Sequence, residues 1–161
     1  EAGFSLHPKL GRIWAKRGSR PFVYTRSQHQ KRLNIFGWVD LIQGSHGITK
    51  WISGNTDGFI QVLRKIIYRF KGKTIDLWVD NARWHKGGRV EEFIIEHTFL
   101  HIHYLPPYHP ELNYQERLWH AMRYEETTNV YFETISDLDH AVFKRSQRWK
   151  PKKIKELCPF I

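Results

Sequence analysis

Two acidic residues in this chain lie where a carboxylate could take part in catalysis. Asp80 directly follows the β-rich run 74–79, and Glu116 lies in the first turn of a helix predicted from about residue 113 to 126. In open α/β sheets, ligands bind beyond the carboxyl ends of the strands, which is where Asp80 falls. A carboxylate in the first turn of a helix leans toward the helix N-terminus and can point into the same cleft.

Each carboxylate also has a purely structural interpretation. Asp80 and Asn81 are residue types that turn the chain and cap the segment that follows. Asn113 and Glu116 have the spacing of a capping box, in which Glu116 would only reach back to the backbone amide of Asn113. Position and spacing alone leave both interpretations open.

The elements that must position these residues follow from hydrophobic periodicity. Short β-rich runs at residues 14–15, 22–25, 33–41 and 47–52 predict antiparallel strands. A helix from Asn55 to Gly72, a strand at 74–79, a helix at 88–97 and a strand at 99–104 follow, and this β-α-β-α-β order favours parallel pairing with crossover helices. Two more helices are predicted at about 113–126 and 136–149, the latter stopped by Pro151.

Domain organisation is simple, because no linker or repeat interrupts residues 1–150. We expect one α/β domain there, followed by a basic tail at 151–161. The tail is expected to be ordered only if Leu157, Pro159 and Phe160 find a groove. The single cysteine, Cys158, allows no internal disulfide, which favours a reducing interior, cytoplasmic or nuclear.

The net charge of the chain indicates the kind of molecule that it binds. The chain carries 26 Lys and Arg against 16 acidic residues, a formal charge of +10, which attracts polyanions and favours nucleic acid. A merely soluble basic surface is the alternative. No apolar run approaches the roughly 20 residues that span a bilayer, so no membrane partner is expected. The basic residues are spread along the chain rather than gathered in one amphipathic stretch: Arg12, Lys16, Arg17, Arg20, Arg26, Lys31, Arg32, Lys86, Arg89, Arg117, Arg123 and the tail.

Two segments of the chain carry a recognisable motif, Val-Asp-Asn-Ala-Arg-Trp-His at 79–85 and Leu-Pro-Pro-Tyr-His-Pro-Glu-Leu-Asn-Tyr-Gln-Glu-Arg-Leu-Trp at 105–119. Together they resemble the catalytic domain of DDE transposases from the mariner-like insertion-sequence superfamily. The family has a strand ending in Asp-Asn with a nearby His, and then a similar proline-rich segment with Ser in place of His109 and Pro-Ile in place of Tyr114-Gln115. The 35 residues between Asp80 and Glu116 are close to the family spacing.

The resemblance implies a ribonuclease H-like α/β fold, a mixed sheet flanked by helices, and metal-dependent DNA strand cleavage and strand transfer in cut-and-paste transposition. Asp80 would be the second acidic metal ligand and Glu116 the third. Two Mg²⁺ or Mn²⁺ ions, about 3.5–4 Å apart, would activate the nucleophile and stabilise the leaving oxygen.

The opening Glu-Ala-Gly-Phe resembles the segment that follows the first catalytic aspartate of the family. That aspartate is expected immediately before Glu1, so the first strand is expected to be truncated and the fragment weak or inactive. Glu1 could substitute only partly, because adjacent strand residues point to opposite faces. Asp40, at the end of the predicted strand that begins at Leu33, is another candidate donor, although a turn role is favoured.

Other residues near Asp80 and Glu116 in the sequence have weaker functional assignments. The resemblance implies that Asn81 and His85 position the metal ligands without binding the metal themselves. Trp78 is expected in the core, while Trp84 and Tyr108 either stack on unpaired bases or pack in the core. A zinc site built from His97, His101, His103 and His109 is disfavoured. Candidate phosphate contacts, with ordinary surface charge as the alternative, are Arg83, Lys86, Arg117 and Arg123.

The partners implied are double-stranded DNA, as transposon ends and target, and a second copy of the chain in a homodimeric transposition complex. A cytoplasmic location, at the nucleoid in a prokaryote, fits that substrate. Two other functions stay open: a different ribonuclease H-like nuclease, and a catalytically inactive DNA-binding remnant of a transposase.

Overall fold

The computed structural model describes residues 1–25 and 31–159, so Arg26 and Phe160 lie outside the described residues. Five strands and five α-helices follow one another along the described chain in the order β1 to β3, α1, β4, α2, β5 and α3 to α5. The strands are β1 Ala2–Ser5, β2 Arg32–Asp40, β3 Ser45–Trp51, β4 Ile75–Val79 and β5 Leu100–Tyr104. The helices are α1 Thr56–Arg69, α2 Gly88–Glu96, α3 Tyr114–Met122, α4 Ile135–Arg148 and α5 Pro151–Leu157.

Strand pairing divides the strands into two hydrogen-bonded groups. β1 and β3 both pair antiparallel with β2, while β4 and β5 pair parallel, with Ile75 opposite Leu100. Antiparallel strands followed by a parallel pair with a crossover helix confirm the predicted mixed α/β architecture. Within the described residues, no helix is long and apolar enough to cross a membrane.

Two hydrophobic cores lie on opposite sides of the strands, and β2 contributes to both. Ile35 packs into the core that β1 shares with α3, α4 and α5, whereas its neighbour Phe36 packs into the core formed with α1, α2, β4 and β5. This follows from the alternation of side chains along a strand. Phe4 and Trp119 contact edge to face in the first core, with ring centroids 6.1 Å apart.

Capping residues define the helix starts. Asn55 accepts a hydrogen bond from the Gly58 amide at 2.8 Å and caps α1. Thr134 and Asp137 form a reciprocal capping box, so α4 begins one residue earlier than predicted. Gly72, at φ 78°, turns the chain after α1, a conformation that glycine adopts without steric cost.

The strands predicted at 14–15 and 22–25 are wrong. Residues 10–25 contain no strand, and Trp14 and Phe22 are exposed. β-branched and aromatic residues form a strand only where a partner strand and a covered face are available. Here the segment instead runs along the surface, and a single-residue β-bridge just before it pairs Lys9 with Thr128.

The helix predicted from 113 to 126 changes character after Met122. Residues Arg123–Thr127 form a π-helical turn. The Arg123 carbonyl accepts hydrogen bonds from the Thr127 hydroxyl at 3.1 Å, the Thr128 hydroxyl at 2.9 Å and the Thr128 amide at 2.8 Å. These donors widen the last turn and end the helix.

The segment expected as a basic tail contains α5. Pro151 occupies the first turn of this helix rather than only stopping α4, a position where its missing N–H is harmless. Ile154 and Cys158 are fully buried in the core of α3 and α4, and Leu157 packs against it. The Cys158 thiol lies 3.5 Å from the Tyr114 carbonyl, at the start of α3.

Candidate active site at the end of the parallel strands

Asp80 follows β4 directly and is fixed by a short loop of its own. Its Oδ1 atom accepts hydrogen bonds from the His85 ring Nδ1 at 2.9 Å and from the Ala82 amide at 3.1 Å. The His85 hydrogen bond is the main cause that lowers the pKa of Asp80 to about 2, against partial burial, which opposes the shift. The carboxylate is therefore ionised at neutral pH.

His85 reaches Asp80 because residues Arg83–His85 form a 3₁₀ turn. Its ring is buried and lies against Phe59 of α1, with centroids 4.2 Å apart, and its carbonyl accepts a hydrogen bond from the Tyr104 hydroxyl at 2.9 Å. The contact with Phe59 and the hydrogen bond from Nδ1 to Asp80 fix the orientation of the ring. His85 thus holds one oxygen of Asp80 in place.

Asn81 ties two loops together instead of contacting Asp80. Its side-chain amide donates to the Leu105 carbonyl after β5, and its Oδ1 accepts from the Lys86 ammonium at 2.6 Å. Lys86 also lies over the Tyr104 ring, 4.8 Å from its centroid. Asn81 therefore aligns the two strand ends from which the site is built.

Glu116 lies in the first turn of α3 and is partly buried. The alternative capping role fails, because the Asn113 amide donates to the Pro110 carbonyl at 3.1 Å and is not available to Glu116. Asn113 caps the helix without Glu116, by accepting from the Gln115 amide at 3.1 Å. The Glu116 carboxylate thus has no role in starting its own helix.

A cleft of about 620 Å³ has Asp80 in its lining. It lies between β2 and β4 and is lined by residues 36–43 and 73–80, and at one end by Glu1, His85, Leu105 and residues 112–115. Asp80 is in this lining, and Glu116 comes directly after the lining residues 112–115 in the sequence.

Glu1 lies in the lining of the cleft together with Asp80. The Glu1 side chain turns toward Gly54, on the face of the strands opposite Phe4. Glu1 Oε2 and Gln115 Oε1 are buried acceptors with no hydrogen-bond partner in the described part of the chain.

Asp40 is a turn residue. Its carboxylate accepts from the Ile42 amide at 3.0 Å, the Gln43 amide at 3.1 Å and the Ser45 hydroxyl at 3.2 Å, all within the turn from β2 to β3. Asp40 therefore has the favoured turn role, at a position that also lines the cleft between β2 and β4.

The expectation that Trp78 lies in the core is wrong. Its side chain is 62% exposed and stacks on His103, with centroids 4.7 Å apart. α3 to α5 cover β1 to β3 but leave this face of β4 and β5 open. Asp76 shares the face and contacts His103 at 2.8 Å and His101 at 3.5 Å, a group that sequence reasoning missed although the register makes Asp76 and His101 neighbours.

The four histidines considered for zinc do not converge. His97 contacts the Phe93 carbonyl at 2.7 Å, and His109 contacts Glu111 at 2.7 Å, while His101 and His103 share Asp76. In residues 1–25 and 31–159, no group of three or more His, Cys, Asp or Glu side chains has metal-binding geometry.

The predicted phosphate contacts and aromatic residues fall at different places. Arg83 is exposed beside Asp80, Arg117 lies over the Tyr114 ring at 4.8 Å, and Arg123 lies over the Phe4 ring at 5.3 Å. Trp84 packs partly into the core of α1 and α2. Tyr108 is 98% exposed at φ 62°, so of the two aromatic side chains it is the one open to a ligand.

Comparisons with solved structures support the fold. The chain is similar to the Mos1 strand transfer complex, with a TM-score of 0.72 and 14% identity over 98% of this chain and 48% of that one. It is also similar to the Mos1 mariner paired-end complex with Mn, with a TM-score of 0.68 and 14% identity over 97% of this chain and 50% of that one. This likeness confirms the ribonuclease H-like fold.

Sequence comparisons identify the family. The chain is 31% identical over 134 residues to the insertion element IS630 uncharacterized 39 kDa protein of Shigella sonnei, a match that covers 80% of this chain and 38% of that protein. It therefore spans well under half the length of this relative. A family model described as DDE superfamily endonuclease matches residues 1–139. The chain therefore belongs to the DDE superfamily endonucleases.

Proposed function

We propose that this chain is the catalytic domain of a DNA transposase, which cleaves DNA strands and joins them to a target with the help of divalent metal ions. The observation that carries the proposal is the cleft between β2 and β4. Asp80, kept ionised by His85, lies in its lining, and the residues leading to Glu116 line it too. An ionised carboxylate in the cleft lining and a second carboxylate directly after a lining segment, in a DDE-family domain, support the proposal of metal-assisted phosphoryl transfer.

Asp80 and Glu116 are the proposed ligands for Mg²⁺ or Mn²⁺, in a two-metal site. Both offer the hard oxygen atoms that these ions prefer. The contacts described for Asp80 engage only Oδ1, which leaves Oδ2 for an ion. Glu1 Oε2 and Gln115 Oε1, buried acceptors at the cleft, can take hydrogen bonds from the waters of a hydrated cation. When bound, the ions activate water or a 3′ hydroxyl and stabilise the leaving oxygen.

The protein's own groups orient the reactants. His85 fixes Asp80, and Asn81 aligns the ends of β4 and β5. Arg83, Lys86, Arg117 and Arg123 are proposed to contact phosphates, which sets the register of the DNA without reading its sequence. Backbone contacts of this kind would position the scissile phosphate for reaction.

A third carboxylate is proposed on the residue that precedes Glu1 in the parent protein. Ala2 pairs with Ile35, so one more step of the antiparallel register beyond Glu1 falls opposite Gly37, inside the cleft. That residue would share a strand face with Ala2 and Phe4, which pack toward α3. Glu1 points the other way. An aspartate there would face the Glu116 side of the cleft.

The substrates proposed are the transposon ends and the target, both double-stranded DNA, held by two copies of the protein. The +10 charge supports a polyanionic partner. The similar Mos1 structures include a paired-end complex with the left transposon end. A DNA substrate fits a location in the cytoplasm, at the nucleoid in a prokaryote.

The test is strand cleavage by the full-length protein. Asp80→Asn and Glu116→Gln should each reduce cleavage by roughly 10³-fold or more, because a metal ligand supplies several kcal/mol of transition-state stabilisation. Binding to the transposon ends should persist. Asp76→Asn and Glu111→Gln, exposed carboxylates on the same strand and in the same proline-rich segment, are matched controls and should cleave normally. Cleavage that survives either catalytic substitution would disprove the assignment.

Two further measurements separate the alternatives. Calorimetry with Mn²⁺ should show binding that weakens in both Asp80→Asn and Glu116→Gln; an inactive remnant would show no site that depends on them. A substrate panel with linear transposon ends, four-way junctions and RNA–DNA hybrids should show cleavage of the ends. Preference for junctions or hybrids would instead indicate another ribonuclease H-like nuclease.

A further inference from the structure

A second groove, of about 670 Å³, lies outside the cleft between β2 and β4. One wall is the segment from Lys9 to Trp14, and the other is the outer surface of α3 and the π-helical turn, with His120, Arg123, Tyr124 and Thr128. We call this surface the arm groove. It shares no lining residue with the cleft between β2 and β4.

The wall formed by residues 9–14 is held in one register. The Asn129 amide donates to the Lys9 carbonyl at 2.9 Å. The Asn129 side chain accepts from the Gly11 amide at 2.9 Å and donates to the Gly11 carbonyl at 3.0 Å. Asn129 adopts φ 60°, a conformation that costs energy for any residue with a side chain. A Cβ on Gly11 would collide with Thr128, so glycine permits this close approach.

The arm groove is cationic. Lys9, Arg12 and Arg123 line it together with His120, and its described lining contains no carboxylate. Arg123 rests on the Phe4 ring, 5.3 Å from the centroid, which steadies its guanidinium at the base of the groove. A concave surface with one sign of charge concentrates a polyanion.

The same groove presents two exposed aromatic rings from opposite walls. The Trp14 side chain is fully exposed and that of Tyr124 is 70% exposed. Aromatic rings that project into a cationic groove are the elements on which unpaired bases stack, while the cations follow the phosphate backbone. Duplex DNA keeps its bases stacked on each other and cannot use both rings.

We propose that the arm groove binds single-stranded DNA, with bases stacked on Trp14 and Tyr124 and phosphates held by Lys9, Arg12 and Arg123. The proposal rests on the DNA-binding part of the proposed function but concerns the arm groove and a different form of DNA, and Arg123 is the residue that takes part in both.

The test compares a labelled 12-nucleotide oligo-dT with a 12-base-pair duplex by fluorescence anisotropy at one salt concentration. Trp14→Ala and Tyr124→Ala should each weaken oligo-dT binding by roughly 5- to 100-fold, the effect of losing one stacked base. Duplex binding should change little. Tyr68→Ala, which removes an equally exposed ring on α1, is the control and should bind oligo-dT normally.

Charge is tested in the same assay. Arg12→Gln should weaken oligo-dT binding and make it less dependent on salt, because one phosphate contact is lost. Arg64→Gln removes an exposed arginine from α1 and should have little effect. Circular dichroism confirms that the variants fold, which is expected since all the substituted side chains are at the surface.

Three outcomes would overturn the proposal: no binding of oligo-dT, equal binding by wild type and the Trp14 and Tyr124 variants, or equal losses for oligo-dT and duplex. If Trp14→Ala instead converts a dimer to a monomer in sedimentation and leaves oligo-dT affinity intact, the groove is an interface between copies. Asp80→Asn should bind oligo-dT like wild type. If the wild-type full-length protein binds oligo-dT but does not cleave transposon ends, the proposed function is contradicted and this inference stands.

Discussion

Asp80 and Glu116 are held in place in two different ways. Asp80 is fixed by its own loop, through hydrogen bonds from His85 and Ala82 that span five residues of sequence. Glu116 is placed by the packing of α3 as a whole, because Leu118 and Trp119 are buried in the core. One carboxylate therefore depends on local hydrogen bonds and the other on tertiary packing, so substitutions should affect them separately.

The largest effect on stability is expected from His85→Ala. The substitution removes a buried ring that lies against Phe59 and leaves Asp80 without its main hydrogen bond. We expect a loss of about 2–4 kcal/mol in the free energy of unfolding. Urea titration measures it, with His101→Ala as the control, since that ring is half exposed and should change stability by less than about 0.5 kcal/mol.

Gly37→Ala tests how the packing of α3 positions the Glu116 carboxylate. A Cβ at this position would lie 2.7 Å from the Trp119 ring and 2.8 Å from Gln115 Nε2, directly under the first turns of α3. We expect a loss of about 1–3 kcal/mol from overpacking, with Mn²⁺ binding weakened through Glu116. Gly88→Ala is the matched control: no atom lies within 4 Å of the position that its Cβ would take, and it should be neutral or slightly stabilising. Equal effects of both would disprove tight packing at Gly37.

The dependence of the free energy of unfolding on acid pH tests the contact between Asp80 and His85. Its pKa falls from 3.8 to about 2 on folding, so the folded state binds this proton less readily than the unfolded state. The resulting stabilisation is complete above about pH 4 and is lost as the pH falls toward 2. Because the side chain is 43% exposed, we expect less than about 1 kcal/mol. Asp80→Asn should lack this acid-dependent loss in titrations from pH 5 to 2, and an unchanged curve would contradict the contact.

The smallest effect on stability is expected from Glu116→Gln, within about 0.5 kcal/mol, because this side chain does not cap α3. Asn113→Ala, which removes the residue that does cap the helix, should cost about 1 kcal/mol. Thermal unfolding at pH 7 compares the two. If Glu116→Gln costs as much as Asn113→Ala, the carboxylate has a structural role that its contacts do not show.

Much of the fold follows from strong periodic signals. The apolar spacing of α1 and the compact runs of β4 and β5 predict the parallel unit and place Asp80 at its end. The 14–15 and 22–25 strands fail because local propensity does not reveal whether a partner strand exists. Trp78 illustrates a second limit: its strand position is readable, but its exposure depends on which strands α3 to α5 cover.

Local sequence signals would have corrected some of the other differences between the predicted and the observed element bounds. Thr134 and Asp137 have a capping-box spacing that marks the start of α4, and Pro151 is a residue type that also begins helices. The Thr127-Thr128 pair explains the early end of α3 only once both hydroxyls are seen on the Arg123 carbonyl. The contact between His85 and Asp80 needs a 3₁₀ turn that residue types alone do not specify.

The Cys158 thiol can report on the opening of the contact between α5 and α3. It is the single thiol of the sequence, and burial raises its pKa, so a thiol reagent can modify it only when α5 lifts away from the start of α3. The labelling rate in native buffer therefore measures how often the support beneath Glu116 opens. Slower labelling on addition of Mn²⁺ or DNA would record, from one sulfur atom and without a mutation, that ligand binding tightens that end of the molecule.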